Sequence, residues 1–294
     1  MIKKISAALG RAWRVWRGNN APGRFIRRSF RNAAGARTYK VYLPAGYAGQ
    51  ALPLVVMLHG CQQTPDDFAI GTRMNELADE LSFLVAYPAQ AWSANYSRCW
   101  NWFRPRDQKR DDGEPSLIAG ITREVIARYY VDTRRVYIAG LSAGGAMAAI
   151  MAATYPDLYA AAGIHSGLPY ASARDAVSAI AAMRGQRSEA ASLLPAVPTI
   201  VFHGDLDTTV RHHDGDYAIA GTQHKSDTGQ AGGRAYTRTV YRSAKAAVEH
   251  WLVHGGGHAW SGGNAAAPYA DARGPDATRE MLRFFFHGPI RSGL

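Results

Sequence analysis

The sequence predicts an α/β fold: a mostly parallel central sheet with helices on both faces. Three observations predict it. Four short runs, Leu54 to Leu58, Phe83 to Tyr87, Val136 to Ala139 and Thr199 to Phe202, are strand-length and apolar throughout, as strands covered on both faces must be. Helical segments near Asp66 to Leu81, Ser116 to Tyr130 and Ala143 to Tyr155 separate them, and such alternation builds parallel pairs through right-handed crossovers. At 294 residues and 47% apolar composition, the chain can bury one large core as a single domain.

The remaining elements follow in order. Tyr39, Val41 and Leu43 alternate with polar neighbours and read as an edge strand ahead of the first apolar run. Tyr170 to Leu194 is Ala-rich and reads as a cap or an inserted helical pair. Residues 221–234, rich in Gly, Gln and Ser, read as a loop. A strand over Ala247 to Val253 and a helix over Asp276 to Phe286 close the domain.

The net charge of +11 is localised. Of the 34 Lys and Arg, eleven precede residue 44, where there is no Asp or Glu, so the remainder is electroneutral. A neutral body argues against nucleic acid, which calls for a basic face interleaved with aromatic side chains. On a helical projection, Ile2, Ile5, Leu9, Trp13 and Trp16 segregate from Lys3, Lys4, Arg11, Arg14 and Arg17. Residues 1–17 are therefore expected to contact an anionic membrane or granule surface peripherally, the alternative being a frayed basic tail. The expected division is a basic amphipathic extension over 1–30 and a catalytic domain over 31–294. Ile5 to Gly10 is too short for the apolar core of a secretory signal, and no apolar run is long enough to span a membrane. Cys61 and Cys99 match no zinc spacing, and the sequence calls for neither a metal nor a cofactor.

Gly140-Leu141-Ser142-Ala143-Gly144 joins an expected strand to an Ala-rich helix. A nucleophile elbow needs this context, because a strained strand-to-helix turn lifts the hydroxyl above the sheet and glycines keep its neighbours from clashing. Ser142 is the expected nucleophile, in an α/β-hydrolase fold. A serine of this kind needs a base to remove its proton and an acid to orient the base, in the chain order Ser, acid, His. The strand over Thr199 to Phe202 leads into Asp205 and Asp207. Asp207 is preferred because it lies further into the loop, whereas Asp205 suits shaping the turn. His254 and His258 both follow the last strand, and Gly255-Gly256-Gly257 can carry His258 over the sheet edge. His258 is the expected base and His254 a structural histidine. His59 and His203 are expected to hold loops beside the site, and His165 has no context that assigns it a role. His59-Gly60-Cys61-Gln62 ends the first apolar strand, so the backbone amides of Cys61 and Ala143 are the expected oxyanion donors.

Taken together, Leu58-His59-Gly60-Cys61, Cys99-Trp100-Asn101-Trp102, the Ser142 elbow, His203-Gly204 with Asp207 and Val210, and His258-Ala259-Trp260 resemble the poly(3-hydroxybutyrate) depolymerase esterase family. That family overlaps with feruloyl and acetylxylan esterases. The resemblance runs from about Arg31 to Phe286. It implies Ser142, Asp207 and His258 as a triad, and it makes Cys61 and Cys99 a candidate disulfide. It also implies export, although no cleavable signal is legible, and it departs from depolymerases of crystalline polymer, which carry linker and binding domains. Trp100, Trp102, Trp260 and Gln62 are candidate substrate contacts, since flat aromatic walls suit a polyester repeat or a phenolic acid. The expected reaction is hydrolysis of hydroxyalkanoate esters or oligomers. The alternatives are a feruloyl or acetylxylan esterase, a peptidase on the same fold, and a non-enzymatic surface-binding protein.

Overall fold

The computed structural model describes residues 22–186, 195–212, 224–242 and 247–288. The amphipathic segment at residues 1–17 and part of the expected cap lie outside these. The described residues open with two antiparallel strands, β1 (Arg24–Asn32) and β2 (Gly35–Leu43), and continue through β3 (Leu52–Leu58), α1 (Pro65–Thr72), α2 (Met74–Leu81) and β4 (Leu84–Pro88). Helix α3 (Gly113–Arg128), β5 (Val131–Leu141), α4 (Ala143–Thr154), β6 (Ala161–His165), α5 (Ala176–Met183) and β7 (Thr199–Gly204) follow. The last elements are β8 (His224–Ala231), β9 (Arg234–Arg242), β10 (Ala247–Val253), the short pair β11 (Trp260–Ser261) and β12 (Ala270–Asp271), and α6 (Ala277–His287).

Among the described residues, ten strands form one sheet in the order β1-β2-β4-β3-β5-β6-β7-β10-β9-β8. Pairing is parallel from β4 to β10 and antiparallel at both flanks. The apolar strands are buried on both sides, as their composition requires. In β3, Leu54, Val56 and Leu58 join a core with Ile118, Ile121 and Val125 of α3 and Met147 and Ile150 of α4. Val55 and Met57 face the other way, onto Phe68 of α1, Leu77 of α2 and Met281 and Phe284 of α6. This three-layer arrangement is the α/β-hydrolase fold.

Four sequence expectations change. The boundary at residue 30 falls inside β1, whose Ile26 and Phe30 pack on the core while Arg24, Arg27, Arg28 and Arg31 face solvent. Cations on an edge strand discourage pairing with another chain and hide the strand from an apolar-periodicity search. The expected loop at 221–234 contains β8, exposed along most of its length, and the turn at Gly232 and Gly233, with φ of 55° and 75°, that leads into β9. Two consecutive positive φ values suit a tight hairpin turn, and glycine supplies both. The helix expected over Asp66 to Leu81 is two helices, broken at Arg73, which has φ 55°. Finally, β6 matches no strand expected from the sequence, because Ala161-Ala162-Gly163-Ile164-His165 offers a single β-branched residue, Ile164, beside small ones.

Candidate active site

The carboxyl ends of β3, β5, β6, β7 and β10 converge, and each carries one part of a cluster. At the end of β5, Ser142 has φ 56° and ψ −120°, a strained conformation for a residue with a side chain. Its amide donates to the carbonyl of His165 at 2.9 Å, which pins the turn to β6. The flanking glycines are steric requirements: a Cβ at Gly140 would lie 2.3 Å from the Gly144 carbonyl oxygen, and one at Gly144 would lie 2.1 Å from that of Leu58. Behind Ser142, α4 is buried over its first ten residues, so the Ala-rich sequence serves close packing of the helix beneath the elbow.

The loop after β7 brings Asp207 to His258. Asp207 Oδ2 accepts from Nδ1 of His258 at 2.8 Å, and Oδ1 accepts from the amides of Thr209 and Val210 at 3.0 and 2.9 Å. Burial pushes the Asp207 carboxyl up, but the His258 hydrogen bond and charge, together with the Val210 amide, outweigh it and hold the group below its ordinary value. With Nδ1 donating to Asp207, Nε2 of His258 is left as the basic nitrogen. Among the described residues Ser142 Oγ makes no hydrogen bond to the His258 ring, a contact that in free enzymes often tightens only when substrate is bound. Asp205 and His254 form a separate pair: Nδ1 of His254 lies 3.0 Å from Asp205 Oδ2, and its Nε2 lies 2.9 Å from Thr237 Oγ1.

Three attachments hold the turn that carries His258. Gly255 donates to Asp205 at 2.7 Å, Leu206 donates to the Gly256 carbonyl at 2.9 Å, and Arg234, paired with Asp271, also reaches the Gly255 carbonyl. The close approach of this turn to β7 requires glycine at position 204, where a Cβ would lie 2.3 Å from the Gly256 oxygen.

The loop after β3 lies against the elbow. A Cβ added at Gly60 would sit 3.6 Å from the Ser142 Cβ. His59 fixes this loop: its Nε2 accepts from the Gln90 amide at 3.0 Å, so Nδ1 carries the proton and donates to the Gly60 carbonyl at 2.8 Å. Burial lowers the His59 pKa to about 4 and keeps the ring neutral. Cys61 and Cys99 form a disulfide, with Cα atoms 4.2 Å apart. Among the described residues the amides of Cys61 and Ala143 donate to no protein acceptor. Unused donors beside a nucleophile are what an oxyanion requires.

Cys61, Ser142 and Ala143 open onto a cavity of about 300 Å³. Trp102 and Phe103 line one side, Leu168, Ala179, Ile180 and Met183 another, and among the described residues none of the lining is charged. Of the four expected substrate contacts only Trp102 is among those lining this cavity. Trp100 is fully buried and donates to the His59 carbonyl at 3.1 Å, bracing the loop after β3. Trp260 is buried in the opposite core layer, where it donates to Thr278 at 2.9 Å. Gln62, which is exposed, accepts from the Tyr269 hydroxyl at 3.0 Å and is not among the residues lining the cavity. The indole N–H groups of Trp100 and Trp260 are satisfied within the fold, so at these two positions the resemblance to a binding motif reflects loop architecture.

Sequence reasoning missed Glu114 and His165. Glu114, buried on α3, accepts from the Asn101 amide and side chain, both at 2.7 Å, and from Gln90 at 2.5 Å, with Arg37 beside it. It anchors the loop that carries Cys99 and Trp102. Burial and the nearby Asp107 raise its pKa, and donors from three segments offset the desolvation only in part. The only signal in the sequence was an acidic residue in the first turn of a helix.

A family model described as Esterase PHB depolymerase matches residues 37–248. Poly(3-hydroxyalkanoate) depolymerase C of Paucimonas lemoignei is 34% identical over 243 residues, covering 74% of this chain and 57% of that protein. Feruloyl esterase B of Neurospora crassa is 36% identical over 149 residues, half of this chain and 49% of the relative. The chain thus spans about half the length of these relatives. Among solved structures, an acetyl xylan esterase from Aspergillus awamori matches 81% of this chain and 94% of its own, with a TM-score of 0.67 at 20% identity, a likeness of fold.

Proposed function

The chain belongs to the Esterase PHB depolymerase family, and on that premise we propose that it is a serine hydrolase of carboxylic esters, acting on hydroxyalkanoate esters or oligomers. One observation carries the reading: a strained serine at an uncharged cavity shares a sheet edge with a histidine whose Nδ1 is held by a buried carboxylate.

In this reading Nε2 of His258 takes the proton of Ser142 as Oγ attacks the ester carbonyl carbon. The carbonyl oxygen becomes an oxyanion facing the amides of Cys61 and Ala143, with the amino end of α4 behind it. Asp207 stabilises the imidazolium. The ring then gives its proton to the departing alcohol oxygen, leaving Ser142 acylated. Water attacks the acyl-enzyme, His258 takes its proton, and Ser142 leaves protonated as the acid is released.

The acyl group is uncharged, because a bare ion in a cavity lined by Leu168, Ile180, Met183 and Trp102 is strongly disfavoured. A hydroxyalkanoate unit satisfies this. The aromatic wall of Trp102 and Phe103 also favours a second reading, a feruloyl esterase, in line with the feruloyl esterase relative. Parallel assays with a hydroxybutyrate oligomer, methyl ferulate and acetylated xylan separate the two, and fluorophosphonate labelling of Ser142 tests the class. Absence of labelling and of turnover on every ester would sink it.

A further inference from the structure

We infer that His165 is a positioning residue that fixes the Ser142 hydroxyl relative to the His258 ring. The inference rests on the triad reading above and adds a residue to it.

His165 ends β6, between the strands that carry Ser142 and Asp207, and is 1% exposed. It holds both halves of the site. Its backbone carbonyl accepts from Ser142 N at 2.9 Å, at the residue whose φ is strained. Its Nε2 accepts from the amide of Ser261, three residues after His258, at 3.0 Å. The ring stacks on Trp260 with centroids 5.0 Å apart, so it grips two consecutive residues of the segment that leaves His258. On its other side it stacks on Phe202 of β7 at 5.8 Å.

The hydrogen bonds dictate the tautomer. A backbone N–H points at Nε2, so that nitrogen must carry a lone pair, and the proton sits on Nδ1, 3.1 Å from Ser166 Oγ. Protonation would destroy the acceptor. Burial, with the nearby His203 and His258, lowers the pKa to about 3, so the acceptor persists throughout the working pH range. An apolar ring of the same shape would fill the space but leave the buried Ser261 amide without a partner. A glutamine can place an oxygen near Nε2, whereas an asparagine is too short.

The test uses the full chain and p-nitrophenyl butyrate, with active sites counted by the pre-steady-state burst. His165→Phe and His165→Asn are expected to lower kcat per titrated site roughly 100-fold, the scale of a 1 Å misplacement, with KM changed by less than about threefold. His165→Gln is expected to restore turnover to within about tenfold of the parent. Unchanged kcat per titrated site in His165→Asn, even with a lowered Tm, would make the residue merely structural and overturn the inference. Should the variants misfold, ¹⁵N spectra of the native enzyme decide: a neutral Nδ1–H tautomer of His165 is expected from pH 8 to pH 5, and an Nε2–H tautomer overturns the inference. Failure of the triad reading is recognised separately, by retained hydrolysis in Ser142→Ala or His258→Ala.

Discussion

Asp207 and His258, 51 residues apart in sequence, meet through a 2.8 Å hydrogen bond from Nδ1 to Oδ2, while Asp205 and His254 make a parallel pair at 3.0 Å. The two pairs separate by environment. The Asp207 carboxyl is fully buried and the His258 ring nearly so, whereas the Asp205 and His254 side chains are 34% and 40% exposed. Ser142→Ala and His258→Ala are therefore expected to lose activity by up to roughly 10⁶-fold, and Asp207→Asn by about 10⁴-fold through the wrong tautomer. His254→Ala and Asp205→Asn should retain activity to within about tenfold, since they loosen the turn without removing a proton carrier. Steady-state kinetics on one soluble ester checks all five; a dead His254→Ala beside an active His258→Ala would reassign the base.

The strands and the elbow were legible because burial on both faces and a Gly-x-Ser-x-Gly turn leave local traces. Edge strands β1 and β8 were not, since an exposed strand needs no apolar alternation. The histidines show the limit well. His258 announces itself by a glycine run, but His165 matters through a carbonyl and a ring nitrogen that meet residues 142 and 261, contacts no local window contains. The tryptophans misled for the converse reason. A motif repeats with its loop, and at Trp100 and Trp260 the loop uses the indole to brace itself.

The Cys61–Cys99 disulfide closes 38 residues of chain and holds the loop after β3 to the segment bearing Trp102. Loop-closure entropy for that separation corresponds to about 4 kcal/mol of stability. Replacing both cysteines by serine is expected to lower the urea-unfolding free energy by about 2–4 kcal/mol. It should also lower kcat more than it raises KM, because in the proposed mechanism Cys61 N faces the developing oxyanion. A double variant with parental stability and kcat would show the bridge to be dispensable.

The cavity predicts a discrimination by acyl size. Ala179 and Ala146 line it as small side chains, so Ala179→Phe fills space without adding charge. Acetate esters should be cleaved at near-parental rates, while kcat/KM for butyrate and longer acyl groups falls roughly 10- to 200-fold, the range open to apolar steric selection. Trp102→Ala should relax the same selection. A uniform loss across all acyl lengths in Ala179→Phe would place the acyl group elsewhere.

Stability should fall steeply with acid because three buried histidines and the partly buried His250 are held neutral. Burial is the leading cause at each, lowering His59 and His203 to about 4 and His165 and His250 to about 3. The unfolded chain titrates these groups near 6.5, so between that value and about 4 it binds protons that the native state refuses. Their contribution is therefore fully present above pH 6.5 and is lost as pH falls, at up to about 1.4 kcal/mol per pH unit for each ring. Glu114 and Asp107 act in the opposite sense, because burial raises their pKa values and acid relieves them. Four rings with large shifts outweigh two carboxylates that are already partly compensated by hydrogen bonds, so the net slope is positive with pH. Together the rings supply about 5 kcal/mol per pH unit at most, comparable with the roughly 5–15 kcal/mol stability of a typical domain. Thermal scans from pH 7.5 to 4.5 should show Tm constant above about pH 6.5 and falling continuously below it. A Tm that stays level down to pH 4.5 would mean that these rings accept protons in the native state, and the neutral tautomers of His59 and His165 would have to be abandoned.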